Sequence, residues 1–372
     1  MGQIIKPLLV IAAGGTGGHI FPAQALAESI LDESWRVKFF TDSRGVKFSN
    51  EFHQKIDLVK ISSSTISGNN LIKKFKGILN LFSGSCSAFC KMLIDRPQVV
   101  AGFGGYPALP TMLAATILRI PILIHEQNGV LGRVNQLFAR RSSIIACGIW
   151  PIKIPEGVEA VKCGNPVRHS IMRLQNSPYI PPGDYPINIV VLGGSQGAKI
   201  LSEIVPSALT LLPQNIIKNL QITHQARKED TNKVIDFYNN FEINADVRDF
   251  FTDIPKKINE TQLIISRAGA STIAEISIIG RPSILIPLKA AIRDEQTSNA
   301  MSLVAAKAAI LISEDQLTAL ELKNKIEKLI LNPALSSSMA KAAHGNSNID
   351  ATKKLTKLVV SLASNKISKE IL

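Results

Sequence analysis

Two distant stretches of this chain repeat one form. LVIAAGGTGGH (9–19) and IVVLGGSQGA (189–198) each run from an apolar strand through paired glycines, a hydroxyl residue and a further glycine into a helix. A form that recurs with roughly equal lengths of chain on either side restricts the fold to two similar Rossmann-like domains. Short apolar runs alternate with amphipathic segments around both, which is the pattern of parallel βα units. Expected strands are PLLVIAA (7–13), VKFFT (37–41), QVVAGF (98–103), PILIHE (121–126) and SIIACG (143–148). In the second half they are INIVVLGG (187–194), LQITHQA (220–226), ADVRDFF (245–251), LIISRAG (263–269) and PSILIP (282–287). Runs apolar on both faces belong to sheets covered by helices on both sides. The fold class is therefore α/β, with two parallel sheets facing a cleft. The expected division is 1–165 and 166–372, with a hinge near Asn165–Pro166, ahead of the Pro-rich SPYIPPGDYP (177–186).

The first glycine loop lacks the third glycine of G-x-G-x-x-G, because Ile20 stands in its place, and it lacks the G-K-[ST] ending of a P-loop. With no acidic residue well placed at the end of the second strand, a nicotinamide dehydrogenase is disfavoured. Bare backbone at a helix start, with Pro22 expected in the first turn, still offers N–H groups and partial positive charge to a phosphate or a developing anion. A tight turn that uses glycine for positive φ is the plainer alternative. His19 closes this loop. A helix N-terminus depresses the pKa of an imidazole and keeps it neutral, as a general base requires, although a lone histidine is commonly structural.

VAGFGGYPALP (100–110) and HEQN (125–128) follow other strands, so both open on the C-terminal rim where open α/β sheets bind ligands. Glu126 could orient His125 or act as a base, and the amide of Asn128 suits a sugar. In the second half, Ser195 is either a phosphate ligand or a helix cap, and Arg168 is a candidate phosphate partner. Thr272 and Glu275 read as a T-x-x-E capping box, with Glu275 also able to hold a ribose diol. RDEQTSNA (293–300) places a polar cluster, Gln296 included, at a helix start.

The net charge of +13 at pH 7 favours an anionic partner. Aromatic residues are few and not interleaved with the cations, so no nucleic-acid partner is expected. Cys86, Cys90, Cys147 and Cys163 fit no metal spacing, and no metal or cofactor is expected. No signal peptide or run of about 18 uncharged apolar residues is seen, so a chain that does not cross a membrane is expected. One segment bears on membranes. In NNLIKKFKGILNLF (69–82), Leu71, Phe75, Ile78, Leu79 and Phe82 share a helical face flanked by Lys73, Lys74 and Lys76. That is the form of an interfacial helix on anionic lipid, or of a helix packed on its own sheet.

Taken in order, GGTGGH, GFGGYP, HEQN, GNPVR, GGSQGA, SRAGASTIAE and DEQTSNA closely resemble the MurG family of N-acetylglucosaminyltransferases, which convert lipid I to lipid II in peptidoglycan synthesis. The resemblance spans nearly the whole chain. It implies the GT-B fold, with a C-terminal helix, about 350–372, packed back on the first domain. It implies an N-terminal domain that faces the acceptor and membrane, and a C-terminal domain that binds the UDP-sugar. The reaction implied is metal-independent, inverting transfer of N-acetylglucosamine from UDP-N-acetylglucosamine to the 4-hydroxyl of lipid I. By motif, Thr16, Gly17, Gly18 and Asn128 would lie by the donor, Arg168 and Ser195 by its diphosphate, and the loop at Phe251 by the uracil. Ala270, Ser271, Thr272, Ile273, Ala274 and Glu275 would lie by the nucleoside, and Gln296 by the sugar hydroxyls. His19 leads as the base, with His125, Glu126 and Tyr106 as rivals. Glu295 and KAAI (289–292) depart from the family pattern. The location implied is the cytoplasmic face of the inner membrane, as a peripheral protein with cell-wall synthesis proteins as partners. Other readings are a different GT-B nucleotide-sugar enzyme, such as a UDP-N-acetylglucosamine 2-epimerase, or a non-catalytic peripheral membrane scaffold.

Overall fold

Aliphatic and β-branched runs adopt extended chain where helices can cover both of their faces. The computed structural model describes residues 6–47, 52–64, 71–194, 197–289 and 294–364. The chain divides into two compact units, Met1–Arg168 with Asp350–Leu372, and His169–Ile349.

The first unit is built on β1 (Leu8–Ala12), β2 (Arg36–Thr41), β3 (Ile56–Lys60), β4 (Val99–Gly102), β5 (Ile122–Glu126), β6 (Ile144–Cys147) and β7 (Ala160–Lys162). All pair in parallel, in the order β3-β2-β1-β4-β5-β6-β7. Strand β1 shows how one segment serves two cores. Leu9 and Ile11 join Leu26 and Ile30 of the helix Gly17–Asp32 and Leu355 and Val359 of the helix Ala351–Ala363. Val10 and Ala12 join Phe40, Met92 and Met112 on the other face. The C-terminal helix thus completes the first core, with Thr356 Oγ1 donating to Ser29 Oγ at 2.9 Å.

The second unit carries β8 (Ile187–Leu192), β9 (Leu220–Gln225), β10 (Asn244–Arg248), β11 (Leu263–Ser266), β12 (Ser283–Leu285) and β13 (Ala309–Leu311). These are again parallel, in the order β10-β9-β8-β11-β12-β13. In each unit the chain order reverses once, between β1 and β4 and between β8 and β11. Those reversals are the topological switch points.

Several expectations are corrected. Strands β3, β7 and β13 have no counterpart among the expected strands. All three are sheet edges with incomplete burial, so they lack the apolar run of an interior strand. Residues 164–168, near the expected boundary at 165/166, belong to the first unit. Asn165 Nδ2 donates to the Gln127 carbonyl at 2.9 Å, and the Arg168 guanidinium lies 4.2 Å from the Phe21 ring centre. These contacts hold the segment in the first unit, and the division falls after Arg168. The Pro-rich stretch is bound to the second unit, where Arg281 donates to the carbonyls of Pro178 and Asn259 and Tyr179 to that of Gln262. The opening helix begins at Gly17, so Pro22 stands in its second turn.

The helix Leu71–Ile94 is, over Lys74–Ile94, long and apolar enough to cross a membrane by length and composition only, and it includes Lys74, Lys76 and Lys91. One side is packed, with Leu81, Ala88 and Met92 buried. Phe75, Ile78, Leu79 and Phe82 are exposed, which removes the alternative that this face packs on its own sheet. Asn69, Asn70 and the side chains of Leu71 and Lys73 lie outside the described residues.

Candidate active site

The C-terminal ends of β1, β4 and β5 are adjacent, so GGTGGH, GFGGYP and HEQN meet on one rim, at the first switch point. Glycine is required where the first two loops touch. Gly105 has φ +74°, and a Cβ there would lie 2.7 Å from the Gly14 carbonyl oxygen and 3.5 Å from His19 Nδ1. Thr16 is the extended N-cap residue of the helix Gly17–Asp32, but its side chain makes no capping bond. Its Oγ1 lies instead 3.3 Å from His19 Nδ1. No acidic residue stands in the first turn, so the positive end of the helix dipole is not offset there. His19 is half-buried, and desolvation lowers its pKa to about 4, leaving it neutral through the physiological range. Gly17 is buried, Gly18 is exposed, and Tyr106 begins a short 3₁₀ turn beside the same loops.

His125 and Glu126 occupy different positions in the same rim. The His125 ring is fully buried, with Nε2 3.1 Å from the Gly164 carbonyl and Nδ1 3.0 Å from Gln127 Nε2. Both ring nitrogens are therefore satisfied internally when Nε2 carries the proton and Nδ1 accepts. The Glu126 carboxylate bonds to groups other than the His125 ring. Its Oε1 accepts from the backbone N–H and side-chain amide of Asn128, both at 3.1 Å. Its Oε2 accepts from the Gly132 N–H and from Asn135 Nδ2, both at 2.8 Å. Burial pushes its pKa up, and the donors from Gly132, Asn135 and Asn128 oppose that shift. This carboxylate shapes the loop after β5, and Asn128 is positioned by it.

Burial lowers the pKa of His125 to about 4, with the Gly164 bond opposing, and lowers that of His224, bonded to Tyr238 Oη at 2.9 Å, to about 3. Both values lie below the ordinary 6.5, so the unfolded chain takes up protons first as the pH falls. Stability is expected to decline from about pH 6.5 to about pH 4, on the order of 3 kcal/mol for His125 alone. Urea denaturation at pH 7.5 and pH 4.5 measures the loss. An equal midpoint at both values would contradict the buried-neutral assignment.

On the second rim, Gln296 Oε1 accepts from the N–H groups of Ala268 and Leu288, at 3.2 and 3.0 Å, and so joins the loops after β11 and β12. Asn299 Nδ2 donates to the Ala268 carbonyl at 3.2 Å. The helix Ala270–Ile279 begins at the N-cap Gly269, so Thr272 and Glu275 lie inside its first two turns and form no capping box. Ala270, Ile273 and Glu275 are buried, while Ser271, Thr272 and Ala274 are partly exposed. The Phe251 ring is buried between Arg248 and Lys257, and its neighbour Phe250 is the exposed aromatic. A ligand at that loop would meet the Phe251 backbone and not its ring. Ser195 and residues 290–292 of KAAI lie outside the described residues.

Two positions were missed from the sequence. Asp42 does follow β2 directly, but Gly45 N–H and Arg44 Nε already occupy its carboxylate, at 3.0 and 2.8 Å, so it is not offered to a ribose. Asn135 bridges Glu126 and the His125 carbonyl from a helix with no motif around it. Among the described residues no group of three or more His, Cys, Asp or Glu side chains could hold a metal ion, and all four cysteines are free.

Comparison with known proteins agrees with this arrangement. A model described as the glycosyltransferase family 28 N-terminal domain matches residues 9–146, and one described as its C-terminal domain matches residues 188–355. A Sinorhizobium medicae (strain WSM419) protein named UDP-N-acetylglucosamine–N-acetylmuramyl-(pentapeptide) pyrophosphoryl-undecaprenol N-acetylglucosamine transferase is 40% identical over 367 residues, covering 96% of each chain. The crystal structure of Acinetobacter baumannii MurG matches with a TM-score of 0.74 at 31% identity, over 96% of this chain and 99% of that one. The kitacinnamycin glycosyltransferase, at 15% identity and a TM-score of 0.71 over 96% and 99% of the two chains, shares the fold. Two parallel Rossmann-like units with glycine loops at both switch points, together with full-length identity at this level, show that the chain belongs to the MurG family of GT-B N-acetylglucosaminyltransferases, within glycosyltransferase family 28.

Proposed function

We propose that the protein transfers N-acetylglucosamine from UDP-N-acetylglucosamine to the 4-hydroxyl of lipid I, forming lipid II with inversion at the anomeric carbon. The acceptor oxygen bonds to C1 of the sugar as the bond from C1 to the UDP oxygen breaks, and that electron pair leaves with UDP. The proton of the acceptor hydroxyl passes to His19. The observation that carries this reading is the placement of His19 at the meeting point of the two glycine loops, neutral and with Thr16 on its Nδ1. Donation from Nδ1–H to Thr16 Oγ1 leaves the Nε2 lone pair to accept the proton. An imidazole of such low basicity takes it as C–O bond formation acidifies the hydroxyl.

The donor would be held by Thr16, Gly17, Gly18 and Asn128 in the first unit. In the second unit it would meet Ser195, the Phe251 backbone and residues 270–275, with Glu275 on the ribose and Gln296 on the sugar. The Gln296 oxygen is already doubly engaged, so its amide N–H is the end suited to a sugar oxygen. Arg168, aligned by Phe21, and the helix starts offset the charge of departing UDP without a metal. The internal partners of His125 and Glu126 favour His19 over both as the base. Identity of 40% to transferases over 96% of the chain favours transfer over epimerisation.

The first unit would face the acceptor and the cytoplasmic surface of the inner membrane, with cell-wall synthesis proteins as its partners there. Phe75 and Phe82, 62% and 69% exposed, would enter the interface while Lys74 and Lys76 meet anionic headgroups. Phe75→Ser with Phe82→Ser is expected to weaken partition onto vesicles containing phosphatidylglycerol roughly tenfold. Unchanged co-sedimentation would remove the helix from the membrane contact. The transfer itself is tested by forming lipid II from labelled donor and lipid I in detergent.

A further inference from the structure

We infer that Arg44 binds the diphosphate of the lipid-linked acceptor, with Asp42 as its positioning residue; this rests on the transferase reading above. Arg44 follows β2 on the rim that carries the glycine loops, and a Cβ built on Gly15 would lie 3.7 Å from its Nη2. The side chain is aimed there by a fixed support. The Asp42 carboxylate is buried, accepts from the Gly45 N–H at 3.0 Å, and holds Arg44 Nε at 2.8 Å. Gly45 is packed so closely on Thr41 that no Cβ fits, which fixes the turn. Half the Arg44 side chain remains exposed, and among the described residues its terminal nitrogens have no other partner. A guanidinium anchored through Nε presents those nitrogens as a fork suited to phosphate oxygens.

The position selects the acceptor over the donor. Thr41, next to Asp42, accepts from the Ile61 N–H at 2.8 Å. The segment that continues from Ile61 meets the exposed apolar helix, where Ser64 Oγ donates to the Gly77 carbonyl at 3.3 Å. In the strand order β3-β2-β1, the loop that carries Arg44 thus lies between the loop that leads to the exposed apolar helix and the loop that carries His19. In a substrate whose lipid tail is joined through a diphosphate to the reacting sugar, the diphosphate occupies that same intermediate place.

Two measurements on the full-length chain test this. In steady-state transfer, Arg44→Gln is expected to raise KM for lipid I about tenfold or more while leaving the Kd for UDP-N-acetylglucosamine within twofold, with Arg44→Lys recovering part of the loss. Asp42→Asn should shift the same KM less, and should add little in the Arg44→Gln background. In co-sedimentation with phosphatidylcholine vesicles, wild type should gain affinity when undecaprenyl diphosphate is included and Arg44→Gln should not. A weakened donor Kd with an unchanged lipid I KM would overturn the proposal by moving Arg44 to the donor. Equal binding of both proteins to the undecaprenyl diphosphate vesicles would overturn it as well. Arg44-dependent vesicle binding by a wild type that forms no lipid II would sink the transferase reading and leave the diphosphate site standing.

Discussion

His19→Ala is expected to lower kcat roughly 10²–10⁴-fold, the range for loss of a positioned general base, with the Kd for UDP-N-acetylglucosamine unchanged. The asymmetry follows from geometry. The side chain lies beside Gly105 and Thr16 at the loop junction, while the backbone N–H groups of Gly17 and Gly18, which the proposal gives to the donor, would survive the substitution. With the pKa near 4, wild-type kcat/KM should be flat through neutral pH and fall on the acid side as the imidazole takes up a proton. Single-turnover rates and isothermal titration with the donor separate chemistry from binding. A variant that retains the wild-type rate would move the base to Tyr106 or to another group.

Glu126→Ala is expected to destabilise the protein by about 3 kcal/mol or more and to abolish transfer with it. The carboxylate is 1% exposed and accepts four hydrogen bonds, from Asn128, Gly132 and Asn135. Removing it leaves those donors without their acceptor, at about 1–3 kcal/mol for each one that stays buried. Glu126→Gln separates a strut from a base. The amide keeps the shape but turns its NH2 towards two of the donors, so a strut loses stability in the isostere too. A base loses only turnover. A thermal midpoint matching wild type, joined to a large fall in kcat, would contradict the structural role assigned here.

How far the fold could be read from the sequence depended on burial. Strands β1, β4, β5 and β8 lie inside sheets, so nearly every residue is apolar and the run stands out. Edge strands such as β3, IDLVK, mix charge with half-buried positions and lose that signal. The glycine loops were legible because bare backbone at a strand end has few other uses, and their meeting at His19 followed from the parallel topology. What remained hidden were partners supplied by distant chain. Glu126 beside His125 reads as a catalytic pair, yet each side chain is claimed elsewhere, by Asn135 and Gly164. Thr272 and Glu275 have the spacing of a capping box, but the helix starts at Ala270 and carries both past the cap. Asp42 was passed over because its ties to Gly45 and Arg44 are fixed by a turn that no periodicity reveals.

The most direct test of the central claim is transfer of labelled N-acetylglucosamine from its UDP donor to lipid I in detergent, with EDTA present throughout. The account predicts stoichiometric lipid II with the β linkage, at a rate that EDTA leaves unchanged. Donor binding without any lipid II would contradict it, and would leave the chain a nucleotide-sugar protein whose acceptor is not lipid I.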